Sequence, residues 1–104
     1  MKSDKVFHIL KDNLTSNKRF NESFKNIQYH STSSEYPNSV VAFFENEKSG
    51  GEIAIYLIPE NHYCEFEYLI FHDGKFNSEN TEFRTKEELI SVLSKFTKKI
   101  LLSV

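Results

Sequence analysis

The segment GEIAIYLIPENHYCEFEYLIFHDGKF, residues 51 to 76, decides the fold. It holds two apolar runs of strand length, EIAIYLI (52 to 58) and HYCEFEYLIFH (62 to 72), with Pro59-Glu60-Asn61 between them and Asp73-Gly74 after the second. Asp-Gly between alternating segments signals a hairpin, because both central residues of a type I′ turn take positive φ. If Ile58 pairs with Tyr63 across the Pro59 turn, then Leu57 meets Cys64, Ile55 meets Phe66 and Ile53 meets Tyr68, all on one side of the sheet. That side predicts a core. The same register sets Tyr56 against Glu65 and Ala54 against Glu67 on the opposite face, with Leu69 and Phe71 further along. Such a face is half wet and meets either solvent or a partner.

Working outward, SVVAFFEN (39 to 46) reads as a preceding strand that ends at Glu47-Lys48-Ser49-Gly50-Gly51, and a weaker strand is expected over 75 to 83. Short links of this kind make neighbours antiparallel, so the sheet is a meander of three or four strands. Downstream, Thr85-Lys86-Glu87-Glu88 is a capping box in which the Thr85 hydroxyl and the Glu88 carboxylate satisfy each other's free amides. Leu89, Val92, Leu93, Phe96 and Ile100 follow at helical spacing, with Lys95, Lys98 and Lys99 where the helix dipole favours cations. Leu89, Leu93 and Phe96 are expected to share one core with Ile53, Ile55, Leu57, Cys64, Phe66 and Tyr68.

Upstream, Val6, Phe7, Leu10, Leu14, Phe20, Phe24 and Ile27 fall within an arc of about 160° at helical periodicity, which predicts a helix over 4 to 28 with Ser3 or Asp4 as N-cap. Thr15, Ser16 and Asn17 are weak helix formers and offer a second N-cap, so two shorter helices are the alternative. QYHSTSSEYPN (28 to 38) lacks periodicity and reads as a loop. The class is therefore α+β: an N-terminal helix, broken or not, an antiparallel meander and a C-terminal helix packed on it. With 104 residues the chain forms one domain over 1 to 104.

Composition narrows the function. Ten Phe and five Tyr with a net charge of only -2 argue against disorder. One Cys makes no internal disulfide, which suits a reducing compartment, and MKSDKVFHIL resembles neither a signal peptide nor a membrane span. A cytoplasmic protein with no membrane contact is expected. His8, His30, His62 and His72 show no spacing that brings ligands onto one metal, and no phosphate-binding or nucleophile motif is present. Cys64 falls on the core face with no base beside it. Glu65 and Glu67 share a strand face at a separation suited to paired carboxylates, yet a solvated face accounts for them without chemistry. No catalytic residue, metal or cofactor is expected.

Between Glu35 and Glu82 the charge balance is ten acidic residues to two lysines, Lys48 and Lys75. A sheet region so charged disfavours nucleic acid and steers a basic partner. The candidate binding residues are Glu45, Glu47, Tyr56, Glu60, Tyr63, Glu65 and Glu67: carboxylates for charge-assisted bonds, and tyrosines that supply contact area at low entropic cost.

GEIAIYLIPENHYCEFEYLIFHDGKF, followed by TKEELISVLSKF (85 to 96), resembles the middle and end of small bacterial immunity proteins of the contact-dependent inhibition and polymorphic toxin type. That resemblance implies a non-enzymatic inhibitor that occupies a toxin domain, commonly a basic nuclease, by shape and charge complementarity. A small accessory or regulatory domain that self-associates through its sheet is the alternative.

Overall fold

The computed structural model describes residues 2–30, 35–46, 50–69 and 75–102, and for residues 26–30 it describes the backbone. In chain order these form α1 (Ser3–Thr15), α2 (Lys18–Ser23), β1 (Lys25–His30), β2 (Val40–Asn46), β3 (Gly51–Ile58), a 3-10 turn (Pro59–Asn61), β4 (Tyr63–Leu69), β5 (Phe76–Glu82) and α3 (Lys86–Leu101). The class is α+β, with an antiparallel sheet in the order β1-β2-β3-β4-β5.

The pairing of β3 with β4 is the one the sequence dictates: Ile58 opposite Tyr63, Leu57 opposite Cys64, Ile55 opposite Phe66, Ile53 opposite Tyr68. A slip of one residue would exchange the core face for the wet face. The inward residues of β2 to β4 join Val6, Leu10 and Leu14 of α1, Phe20 of α2, and Leu89, Leu93, Phe96 and Ile100 of α3 in a single buried cluster. All nine residues expected to share one core lie in it. The helices therefore cover one face of the sheet, and among the described residues no helix lies on the other, open face.

Several boundaries differ from the sequence reading. The N-terminal stripe takes the alternative form, two shorter helices with the second cap at Asn17, but its end, read as helix, is a strand. Asn17 caps α2 by accepting from the Phe20 amide at 3.1 Å, while the Thr15 and Ser16 hydroxyls donate back to the Lys11 and Asn13 carbonyls. Residue Phe24 is already extended, at φ -123 and ψ 126, and the following β1 pairs with β2. Phe24 and Ile27 fit a helical period, but six residues make a marginal helix, and the unsatisfied edge of β2 offers the backbone a ladder instead. The sheet thus has the three strands expected, the weaker fourth one and β1 besides, and Gln28, Tyr29 and His30, read as the start of a loop, belong to β1. α1 is capped at Lys2, whose carbonyl accepts from the Val6 amide at 3.0 Å; Ser3 and Asp4 lie within the first turn, and no side chain caps it. His62 is not a strand residue: at φ 53 it closes the 3-10 turn in the left-handed region. The Asp73-Gly74 hairpin falls outside the described residues.

At α3 the Thr85 hydroxyl accepts from the Glu88 amide at 3.1 Å. The Glu88 carboxylate accepts from the Arg84 amide at 2.9 Å, one residue earlier than the reciprocal box expected. Replacing Thr85 by Ala should cost about 1 kcal/mol of stability, read as a lower midpoint in urea.

Candidate protein-binding surface

Strand alternation assigns the open face. Its ladder rows run Val41–Tyr56–Glu65–Asn80, then Phe43–Ala54–Glu67–Ser78, then Glu45–Glu52–Leu69–Phe76 from β2 to β5, with Lys25 beside Glu45 on β1. Tyr63, opposite both Ile58 and Glu82, extends the face towards the 3-10 turn. Glu45, Tyr56, Tyr63, Glu65 and Glu67 are thus brought together on one surface.

Two tyrosines hold two of its carboxylates. The Tyr56 hydroxyl donates diagonally to Glu67 Oε2 at 3.2 Å, and the Tyr63 hydroxyl donates to Glu65 Oε1 at 2.9 Å. Burial, then the nearby carboxylates, raise both phenols above their ordinary value, so both remain donors across the physiological range. The oxygens of Glu65 and Glu67 that these bonds leave over are available to a partner's donors.

Glu60 stands apart, in the 3-10 turn. Its Oε1 accepts from the Asn38 side chain at 2.8 Å and from the Asn38 amide at 3.3 Å, tying the segment before β2 to the β3–β4 connection. Slight burial acts to raise its carboxyl, but hydrogen bonds from its own amide and from Asn38 outweigh it and hold the group below its ordinary value. Its role here is to fasten a loop. Glu47 lies outside the described residues.

The open face also holds residues that the sequence reading did not select. Ala54 has Phe43 and Glu67 beside it in its row, and its small side chain leaves a depression of about 380 Å³. Phe43, Tyr56, Leu69 and Phe76 wall it, and the carboxylates of Glu45, Glu52 and Glu67 rim it. Phe43 is 37% exposed and Phe76 67%, the largest apolar exposures among the described side chains of the sheet. Strand alternation in SVVAFFEN sets Phe43 and Glu45 on one side, but their meeting with Ala54 and Glu52 depends on the register of β2 on β3.

Cys64 is fully buried, and burial, then Glu65 and Glu79, push its thiol far above the ordinary range, so it packs as a small hydrophobe. Among the described residues no three His, Cys, Asp or Glu side chains gather as metal ligands, and no helix is long and apolar enough to cross a membrane.

The chain is thus an α+β layer pair whose outer sheet face carries acidic and aromatic side chains. Comparison of the chain with protein-family models, with curated proteins and with solved structures finds no match.

Proposed function

We propose that the chain is a non-enzymatic immunity protein that binds and neutralises a basic toxin domain, such as a nuclease, in the bacterial cytoplasm, using the open face of its sheet. The observation that carries this reading is the pairing of Tyr56 with Glu67 and Tyr63 with Glu65 beside an apolar depression. Hydrogen-bonded carboxylates lose little freedom when they meet Arg or Lys, and the adjoining aromatic surface supplies buried area. Glu45, Glu52, Glu65, Glu67 and Glu82 share the face with Lys25, which suits a cationic surface. Self-association through this face is the weaker alternative, because two copies would set their carboxylates against each other.

The test is to express the protein with the product of its neighbouring gene and to measure association as salt rises. The rate constant should fall steeply between low and physiological ionic strength as ions screen the face. A rate constant indifferent to salt would show that the acidic surface plays no part in binding.

A further inference from the structure

We propose that the depression over Ala54 is a receptor for one arginine side chain of the partner, its guanidinium held by Glu45, Glu52 and Glu67 and its methylene stem by the apolar walls. This inference deepens the partner-binding reading and rests on it. Three observations carry it.

The first is shape. Ala54 is the smallest side chain on the open face of β3, and its half-buried position lies between the larger Phe43 and Glu67. A sheet face that served only solubility has no need of an aromatic-walled hollow.

The second is charge. Glu45 and Glu52 stand directly opposite each other across β2 and β3. Carboxylates brought side by side in this way offer acceptors that one cation can bridge. Three carboxylates, Glu45, Glu52 and Glu67, line the depression, and Lys25 lies beside Glu45 on the far side from Glu52.

The third is chemistry. A guanidinium is planar, carries five donors in a fixed fork and is weakly hydrated, so it can bridge carboxylates on different strands while lying against aromatic rings. A lysine ammonium is a compact, strongly hydrated charge and uses the apolar wall less well. Tyr56 fixes Glu67 from one side, which leaves that carboxylate's second oxygen for the incoming fork. A depression of about 440 Å³ beside α1 and α3 mixes Lys5 and Lys86 with Asp12 and offers no comparable selectivity.

The experiment uses the full chain, labelled with 15N, and three blocked tripeptides: Gly-Arg-Gly, Gly-Lys-Gly and Gly-citrulline-Gly. The arginine peptide should move the amide signals of Phe43, Ala54 and Leu69 in a saturable way, and the citrulline peptide, which keeps the shape without the charge, should not. Ala54→Leu, which fills the hollow at a solvent-facing position, should abolish the shifts, and Glu67→Gln should weaken binding by about tenfold. Glu87→Gln, on α3 in the opposite layer, should change nothing. Shifts that map elsewhere, that persist in Ala54→Leu, or that are equal for lysine or citrulline would overturn the proposal. Association with the neighbouring gene product separates the two levels. A salt-dependent rate and an affinity both untouched by Ala54→Leu would overturn the arginine receptor and keep the broader reading, whereas loss of the salt dependence itself would remove both.

Discussion

Truncating Phe66 to Ala should lower the free energy of unfolding by about 3–5 kcal/mol. The ring is 2% exposed on the inner face of β4 and stacks on Phe96 of α3 with centroids 4.0 Å apart and planes at 15°. Phe96 also takes Tyr68 edge-on at 5.6 Å, so one ring of α3 joins two residues of β4. Truncation removes the buried area, the aromatic contact and part of the attachment of helix to sheet. For a domain of this size that is a large share of its whole stability. Denaturant titration would read it as a fall in midpoint at an unchanged slope. A loss under about 1 kcal/mol would mean that the ring is not held between sheet and helix.

Reversing Glu65 and Glu67 together to Lys should slow association with a basic partner by at least about tenfold at low salt, since steering of this kind changes rates by factors of about 10 to 1000. The double variant shifts the face by four charges and leaves the hydroxyls of Tyr56 and Tyr63 without their acceptors. Those hydroxyls are partly exposed, so each lost bond should cost about 1 kcal/mol or less of folding stability. A cooperative thermal transition in the variant would separate the two effects. An unchanged rate with the fold intact would move the contact to the helices.

The parts of the fold that are legible in the sequence are those where periodicity and turn chemistry agree. β3 and β4 alternate strictly, and the Pro59 turn sets their register, so every opposed pair follows from the order of the residues alone. The apolar spacing of α3 and its Thr85 cap reinforce each other in the same way. The N-terminal stretch misleads because Phe24 and Ile27 satisfy a helical stripe, while the choice between helix and strand lies with β2, a distant segment with an edge to fill. His62 escapes a reading by pattern because a left-handed residue that is not glycine leaves little trace in a sequence. The acidic and aromatic side chains of the open face are recognisable as such. The hollow is not, because it exists only when Phe43, Ala54 and Phe76 from three strands are set side by side.

β5 has a consequence for how the surface behaves in time. From Phe76 to Glu82 none of its side chains is buried; Glu79 accepts from the Tyr68 hydroxyl at 3.1 Å and pairs with Lys99 of α3, and the core is reached at Phe83, just past the strand's end. A strand with no buried side chain of its own is held largely by its backbone ladder to β4, so it should open more readily than the sheet unfolds. Its amides should therefore exchange with deuterium sooner than those of β3. Yet β5 also supplies Phe76, one wall of the hollow. A partner that fills the hollow thereby fastens this strand, and the slowing of exchange along β5 becomes a direct gauge of occupancy.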